Sequence, residues 1–571
     1  MKSLEQWYEC NALRGWNPRA QWLLGLEDSY RGNLYAALRA VYERSDGTYQ
    51  GLANWSPSRT SNGCYIPAAQ RQPGVQAGLI ADKVDRLVQL LVGAERGMVL
   101  RLKNAAGETT TDNDALAELD DILRDELQLW HLGQLPALDL VVKGSACFGF
   151  SLPDPDGSFH GAYLGTEWCD VVFASQVKGA KARKIATDLA TLPGVAEQLA
   201  QDDDGWHLVA PMDAAPLDLA FVRYQYRWDE EVAINDNGTA TQTVINWLRR
   251  DYLPNAILEY QPVSLLEDEL PPISFTYLPE QSEPHDWGII PLVWMVPMGT
   301  VPGEMDGPSL LTRPVRDMAT QADYAMSFMG DSHAFNSSGL LTIINARVRG
   351  RRADMQATGD PSIYDADIPT DAGGLLELEG ENGANAMLLE TSGRAMDTGL
   401  QLVRELDKMI QQRTGVVEPP PESAGGALSG TAMERLMQRL IGKANEYRGP
   451  YAHGIKQLVA KLLYVAERIG RVTGAGDGAR AMVEWPKIVE QTADDVLAWA
   501  TAFGTAAERG LLPQAEAVRQ FAQKIGYDGD AEELVAQVAA DEDAAVARAL
   551  EMAAMREQAE PETDDDEQAE G

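Results

Sequence analysis

Four arginines stand close together in a chain that is otherwise strongly acidic. The segment ARVRGRR, residues 346–352, carries Arg347, Arg349, Arg351 and Arg352. Guanidinium groups present several donors in a fixed geometry that suits phosphate oxygens and carboxylates. Two interpretations stay open for this cluster: a contact with phosphate or with an acidic neighbour, and a solvated loop or ion pairs between subunits.

Sequence motifs for catalysis or metal binding are missing from the chain. There is no GxxxxGK[ST] phosphate loop and no GxSxG nucleophile turn, although a catalytic triad is a spatial arrangement that one sequence does not reveal. The GAGDGA run at residues 474–479 follows no predicted strand, so a flexible turn is the better interpretation. The histidines are widely spaced and form no HExxH pair: His131, His160, His207, His285, His333 and His453. We therefore expect no catalytic residue, no metal site and no cofactor.

Composition indicates a globular protein with an unusual charge balance. Hydrophobic residues make up 45% of the 571 residues, and 86 acidic residues face 48 basic ones, for a net charge of −38. At roughly 100 to 200 residues per domain, this length predicts three to five domains. The negative charge opposes nonspecific binding to nucleic acid, and it is either a solvated surface or a field with a specific use.

Cysteine usage and hydropathy indicate an aqueous, reducing compartment. The cysteines have neither metal-ligand nor redox spacing: Cys10, Cys64, Cys147 and Cys169. The N-terminal MKSLEQWYECNALRGW lacks an apolar signal region, and no run of 18 or more apolar residues occurs. We expect a protein of an aqueous compartment, without a segment that spans a bilayer.

The first half of the chain alternates helical and strand patterns. Residues 75–93 predict a helix that ends at Gly93, with one apolar stripe of Val84, Leu87, Val88 and Leu91. Aromatic and β-branched residues at 218–263 predict hairpins around the Asn237-Gly238 turn. Residues 287–299, WGIIPLVWMVPMG, predict a buried strand.

The second half is mainly helical. Residues 308–335 predict a helix of about seven turns with a stripe of Val315, Met318, Ala322, Ala325 and Met329. Further helices are predicted at 394–412, from about Ser429, and from Thr492 to a stop at Gly510, with Pro513 opening the next one. The acidic end at 557–571 predicts a disordered tail.

Several segments, in order, resemble the portal protein family of tailed bacteriophages. The set comprises CYIPAAQ with IADKVDRLVQLLVG, WGIIPLVWMVPMG, MDGPSLLTRPVRDMATQADYAMSFMGDSHAF with NSSGLLTII, the region 379–417, LSGTAMERLMQRLIGKANEYRGPYAHGIKQLVAKLL, and the region 484–521. Ser429, Gly430 and Ala432 match the small-residue start of a family helix. The likeness covers most of residues 60–525 and rests on the ordered set of segments.

This resemblance implies an α+β portal fold with wing, stem, clip and crown regions. The implied boundaries are wing (N-terminal part) 1–215, β-rich clip or wing–stem region 216–304, stem helix and returning strand 305–346, wing (C-terminal part) with a channel-facing helix and loop 347–484, helical crown 485–556 and tail 557–571.

The same resemblance implies a function without catalysis. A closed ring, commonly of twelve copies, would sit at one capsid vertex of the virion after assembly in the host cytoplasm. Double-stranded DNA would pass through its channel during packaging and ejection. Other implied partners are the terminase large subunit, a major capsid or scaffolding protein and a head–tail adaptor, with no membrane. The resemblance implies that Glu390, Thr391, Ser392, Gly393 and Arg394 lie near a channel-facing loop. Together with the basic cluster of Arg347, Arg349, Arg351 and Arg352, they are the candidates for contact with DNA or with a neighbouring subunit.

Two other classes of protein remain as alternatives. Another structural head or connector protein of a phage would share the acidity and the ring assembly. A multi-domain cytosolic enzyme of an unrecognised family would instead show a deep pocket with convergent titratable groups.

Overall fold

A computed structural model gives the fold of this chain. It describes residues 18–32, 73, 76–93, 98–210, 218–233, 241–266, 275–301, 303–338, 340–348, 378–389, 394–417, 430–476, 478–485, 493–525 and 535–540. Helices and antiparallel sheets are both present, which confirms the α+β class. The Asn237-Gly238 turn and the acidic tail lie outside the described residues.

The chain divides into two compact units. The first takes in described residues up to Val416 and again from Gly442 to Trp485, and the second takes in those of 417–441 and from 486 onward. Residues 442–485 of the first unit therefore lie, in sequence, between the two segments that form the second unit.

The helices of the first unit up to residue 190 are short. They are α1 (Pro18–Arg31), α2 (Leu79–Val92), α3 (Asp114–Asp121), α4 (Leu129–Leu132), α5 (Gln134–Val142) and α6 (Ala180–Ala190). Helix α2 matches the helix predicted at 75–93: Val84, Leu87 and Leu91 are buried and Gly93 caps its end.

Fifteen strands occur among the described residues. They are β1 (Val99–Lys103), β2 (Ala146–Phe150), β3 (Gly161–Leu164), β4 (Cys169–Phe173), β5 (Leu199–Asp202), β6 (Gly205–Leu208), β7 (Leu219–Ala233), β8 (Thr241–Leu253), β9 (Ala256–Glu259), β10 (Val263–Leu266), β11 (Glu283–Pro284), β12 (Leu292–Met295), β13 (Leu340–Val348), β14 (Leu378–Leu389) and β15 (Arg480–Glu484). The predicted hairpins are β7, β8 and β9, and the predicted buried strand is β12.

Two sheets form the centre of the first unit. The larger has the order β11-β9-β8-β7-β4 with β10 beside β8, and the smaller has the order β12-β2-β3. Side chains such as Val171 and Val222 of the larger sheet pack against Cys147, Leu292 and Trp294 of the smaller one. Helix α6 covers the opposite face of the larger sheet with a second apolar cluster. Burial of these two faces supplies the main stabilisation of the unit.

The remaining helices are longer. They are α7 (Arg313–Ser338), α8 (Arg394–Thr414), α9 (Gly430–Arg468), α10 (Ala493–Glu508) and α11 (Gln514–Ile525). Helix α9 crosses the smaller sheet at Gly454, where an added Cβ would come within 2.5 Å of the Met295 sulfur. Helix α10 ends before Gly510, which has a φ of 67° and fits the predicted stop.

Helix α7 begins later than the sequence predicts. The predicted start was residue 308, but the helix starts at Arg313, with Pro314 in its first turn. Before it, Leu310 and Leu311 are buried, the Ser309 hydroxyl donates to the Val142 carbonyl at 2.5 Å, and the Leu311 amide donates to the same hydroxyl oxygen at 2.9 Å. These contacts hold residues 309–311 in an irregular conformation against α5.

Candidate functional site

The two described members of the predicted channel or subunit contacts, Arg347 and Arg394, lie on and beyond one pair of antiparallel strands, which we call the β13–β14 hairpin. Strand β13 pairs with β14, with Arg347 opposite Glu379 and Leu340 opposite Leu389. Arg394 is the first residue of α8. Over the seven residues from Leu340 to Arg347 a strand advances about 23 Å. Arg347 and the start of α8 are therefore two separate places.

Seven of the nine predicted residues belong to segments outside the described ranges. Arg349, Arg351 and Arg352 lie outside the described residues, as do Glu390, Thr391, Ser392 and Gly393. Their role as channel or subunit contacts stays a prediction. The two described members are Arg347, which lies on β13, and Arg394, which begins α8.

Helices α7 and α8 form an antiparallel pair that carries this hairpin. Because Leu340 and Leu389 are paired, the end of α7 and the start of α8 lie side by side. Further along the pair, Gly399 approaches Met329 so closely that an added Cβ would be 2.7 Å from the Met329 sulfur. Absence of a side chain at Gly399 therefore lets the two helices pack closely.

The pair has its own apolar seam. On α7 the buried residues Val315, Ala322 and Met329 are seven positions apart, and on α8 Leu406 and Ile410 are buried. A spacing of seven places side chains on one side of a helix that packs along a partner. The stripe predicted from the sequence is therefore the packed side of α7, with Met318 and Ala325 partly buried at its edge.

Large apolar side chains remain exposed on both helices of the pair. Phe328 of α7 is 49% exposed, and on α8 Leu402 is 50% and Met409 43% exposed. Leu400 is 40% exposed. An apolar surface of this kind on a polar protein is typical of a contact with another molecule.

Helix α2 anchors the pair to the sheet core. The Ala77 amide, just before α2, donates to the Asp323 carboxylate at 2.7 Å. Lys83 of α2 is almost fully buried, with its ammonium 3.3 Å from Asp407 of α8 and 2.9 Å from Asp82. A buried ammonium needs such carboxylates to offset its lost hydration. Both helices of the pair are thus tied to one short helix.

The other end of α2 is tied to α9 and β15. The Arg448 guanidinium donates to the Leu90 carbonyl through Nε at 3.2 Å and Nη2 at 2.9 Å, and the Trp485 indole donates to the Leu91 carbonyl at 2.9 Å. Burial lowers the pKa of Arg448 to about 10. These bonds satisfy carbonyls at the helix end that have no partner within the helix. Helix α2 therefore connects the pair with α9.

A buried charge cluster holds α1 and α5 to the smaller sheet. The Lys143 ammonium lies 2.9 Å from Glu27, 2.9 Å from Asp139 and 2.6 Å from Glu167. Burial, opposed by the Lys143 charge, raises the pKa of Asp139 to about 6, and the Tyr163 hydroxyl donates to it at 2.6 Å. All the carboxylates are engaged by one cation, so the arrangement acts as a structural link.

A second link binds the start of α1. The Arg19 guanidinium bonds both carboxylate oxygens of Asp306, at 2.5 and 2.6 Å, and donates to the Thr166 and Cys169 carbonyls. The Ser145 hydroxyl donates to the same carboxylate at 2.6 Å. Two-point Arg–carboxylate pairs fix geometry strongly.

The described ranges contain no cluster of metal-ligating side chains, and one open depression lies in the second unit. No three His, Cys, Asp or Glu side chains there are placed to hold a metal ion. An open depression of about 600 Å³ in the second unit is lined by Leu497 and Thr501 of α10 and by Leu511, with Arg509 its one ionisable side chain among the lining residues. In the GAGDGA run, Gly474, Gly476 and Gly478 have positive φ, a backbone conformation that favours glycine.

Sequence reasoning missed a second basic cluster. The segment VKGAKARK places Lys178, Lys181, Arg183 and Lys184 at the start of α6. The sequence signal for this cluster is the presence of four basic residues within seven positions. Also missed were the anchors Lys83 and Asp323, because their partners lie hundreds of residues away in sequence.

The described helices include no candidate for a membrane span. None of them is both long enough and apolar enough to span a bilayer.

Comparison with known proteins gives only distant structural likenesses. No family model and no curated protein matches the sequence. A chain in the structure "Virion of native gene transfer agent (GTA) particle" is 11% identical at a TM-score of 0.32, over 78% of this chain and 89% of that one. A chain in "Neck of native GTA particle" is 10% identical at 0.35, over 78% and 91%, and one in "Neck of empty GTA particle" is 13% identical at 0.31, over 80% and 92%. These TM-scores mark a partial likeness of backbone arrangement.

Proposed function

We propose that this chain is a portal protein: a subunit of a ring at one vertex of a phage-type capsid, through which double-stranded DNA passes. The observation that carries the proposal is the α7–α8 pair, which ends in the β13–β14 hairpin and is anchored to a sheet core at its other end. It agrees with the stem implied by the ordered sequence resemblance.

The anchors define which half of the pair extends from the core. Asp323 and Asp407 are the anchored positions, and fifteen residues of α7 follow Asp323. At 1.5 Å per residue this free half is about 22 Å long. In the proposal α7 and α8 form the stem. In this proposal the clip is the hairpin at the outer end of the stem, and not the region 216–304 that the resemblance implied. The 219–259 sheet, which packs between α6 and the smaller sheet, then belongs to the wing.

Exposed apolar residues on the pair fit a ring of identical chains. In a cyclic assembly each subunit uses two different faces, and these bury each other in the neighbouring copies. Phe328 on α7 and Leu402 and Met409 on α8 would be covered in this way. The same residues in a permanent monomer would leave an apolar surface in water.

Net charge supports passage of DNA. Acidic walls repel phosphates at close range, so a polyanion moving through the channel meets no deep binding minimum. A chain with a charge of −38 can line such a channel. The terminase large subunit, capsid or scaffolding protein and a head–tail adaptor are the proposed partners at the two ends of the ring.

Native mass spectrometry of the purified chain tests ring formation. Twelve copies of a 62.3 kDa chain give a mass on the order of 750 kDa, and a neighbouring ring size would agree equally well. Monomers or dimers at every concentration would contradict the proposal.

A particle assay separates a portal from another connector ring. Capsids assembled with an affinity-tagged chain should each carry one tagged ring and should package DNA when terminase and ATP are added. Tagged rings at many vertices, or equal packaging without the chain, would favour the alternative of another head protein.

A further inference from the structure

Two surfaces of opposite charge lie apart in the first unit, one on the larger sheet and the other at the start of α6, which covers that sheet. We infer that they contact each other between neighbouring copies: the acidic outer half of the β7–β8 hairpin of one chain docks on the basic start of α6 of the next. This inference rests on the proposed ring, and it assigns one of its subunit contacts.

One edge of β7 loses its neighbouring strand in the outer half of the hairpin, while α1 and β10 still cover Ile245 and Trp247 of β8. Strand β4 pairs with β7 only as far as Tyr224. From residue 225 on, that side of β7 has no neighbouring strand within the described part of the chain. An open edge exposes unpaired backbone donors and acceptors, which makes it a natural place for a partner to approach. We call residues 226–233 and 241–248 the arm.

The arm combines aromatic and acidic side chains. Tyr224, Tyr226 and Trp228 stack in a row along β7, with ring centroids 6.0 and 5.9 Å apart, and all three are partly exposed. Asp229 and Glu230 follow and are exposed, and Glu231 comes next in sequence. In sequence these three acidic residues outnumber Arg227, the one basic residue of the arm. The Arg227 guanidinium pairs with Asp229 at 3.0 Å, and Glu230 accepts from the Asn246 amide at 3.0 Å.

The start of α6 carries the opposite charge. Lys178 and Lys184 are exposed, and no ion pair involves either of them within the part of the chain that the structure describes. Lys181 bonds Asp170, and Arg183 bonds Asp202 at 2.7 Å. Two of the four positive charges are therefore already engaged by carboxylates of the same chain, and two are available to a partner.

The geometry excludes contact between the arm and the basic patch of one chain. Lys181 bonds Asp170, which lies opposite Arg223 in the sheet, so the patch sits at the level of Arg223. From Arg223 to Glu230 the strand advances about 23 Å. The two surfaces meet only when they belong to different copies, and such a head-to-tail contact repeats around a ring.

DNA is the less suitable occupant of the patch. Tight DNA binding needs several phosphates to be neutralised together, and two available lysines in a chain of net charge −38 provide little of this. An acidic arm matches the patch in sign and in size. Opposite charges across a contact chiefly guide docking and exclude wrong partners.

Charge reversal tests the contact in the full-length chain. One variant carries Lys178→Glu with Lys184→Glu, and the other carries Asp229→Lys with Glu230→Lys. We expect each alone to lower ring yield about tenfold in native mass spectrometry, because like charges would face each other. Matched controls are Lys456→Glu and Glu280→Lys, both exposed, which should keep the wild-type yield.

Mixing supplies the decisive readout. When the two variants are combined, they can alternate around the ring. The acidic arm of the lysine variant then meets the basic patch of the arm variant, and the basic arm of the arm variant meets the acidic patch of the lysine variant. Rings with equal numbers of both variants should therefore return. The chain that carries all four changes should also assemble. Rings at wild-type yield from each variant alone would overturn the inference while leaving the portal proposal standing, whereas a wild-type chain without rings would overturn both.

Two further outcomes would count against the inference. Loss of DNA packaging by the lysine variant with normal ring yield would assign the patch to DNA. Lower thermal stability of the isolated lysine variant, without rescue on mixing, would assign the patch to a contact within one chain.

Discussion

Buried lysines in this protein have very different surroundings. Lys143 faces three carboxylates, and Lys83 lies near two. Lys461 of α9 instead donates to the Ile290 and Leu292 carbonyls, at 3.1 and 2.7 Å. Paired ammonium groups keep their charge when buried, and an ammonium held only by carbonyls loses it more easily. The same residue type therefore has opposite effects on the pH dependence of stability.

Removal of the Lys143 ammonium should destabilise the fold strongly. In Lys143→Met, the buried Asp139 and Glu167 and the partly buried Glu27 lose their shared cation, and we expect the free energy of unfolding to fall by about 3–5 kcal/mol at pH 7. The loss should be smaller at pH 5, which lies below the raised pKa of Asp139 of about 6, because that carboxylate is then largely protonated. Urea denaturation measures both values.

Lys181→Met is the matched control for this substitution. Its ammonium also bonds a carboxylate, but the side chain is 47% exposed, and we expect a change below about 1 kcal/mol. Similar losses for the two variants would show that the Lys143 cluster is not the link described above.

Stability should rise with pH through the titration of Lys461. Burial lowers its pKa from 10.5 to about 8, so between these values the unfolded chain binds more protons than the folded one. From pH 7.5 to 9.5 the wild type should gain on the order of 1 to 2 kcal/mol relative to Lys461→Met. Urea midpoints of both proteins at each pH give the difference. A constant difference would place the folded pKa outside this range.

At the scale of elements, the α7–α8 pair depends on close approach at one glycine. Absence of a Cβ at Gly399 leaves room for Met329, so a larger residue must separate the helices or displace the methionine. Among the side chains that the structure describes, few are buried in the pair beyond its anchors, so the pair is sensitive to such a change.

Gly399→Ala should therefore loosen the pair. We expect a loss of about 1–3 kcal/mol from overpacking, less the helix propensity that alanine adds. Gly442→Ala in α9 is the control, because no atom lies within 4 Å of an added Cβ there, and it should be neutral or stabilising. Hydrogen exchange of α7 and α8 amides gives a local measure. Unchanged exchange in Gly399→Ala would contradict tight packing at this point.

Sequence patterns predicted the elements well and their partners poorly. Helix α8 was predicted at 394–412 and runs to Thr414, because its apolar spacing is set locally. Strand β14 was not predicted, since GENGANAM has weak strand propensity, and its conformation comes from pairing with β13. Contacts such as Lys83 with Asp407 depend on the folded topology, which no local pattern encodes. The portal resemblance stays a prediction, and so do the channel residues that it implies.

For the whole molecule, strong negative charge makes self-assembly a balance. Chains with a charge of −38 repel one another at long range, and salt reduces that repulsion. A ring then depends on short-range contacts that offset it: the apolar side chains of α7 and α8, and the meeting of the arm with the basic patch. Local complementarity, rather than overall charge, decides which faces meet.

The chain leaves the core at Leu311 and re-enters it at Val416, both buried, and the antiparallel pair brings these two points close together. The intervening hundred or so residues are thus an insertion whose entry and exit adjoin. Adding or removing whole turns equally in α7 and α8 would change how far the pair and its hairpin extend from the sheet core, while the core kept its contacts. Length of reach and stability of the core can therefore change independently in related proteins.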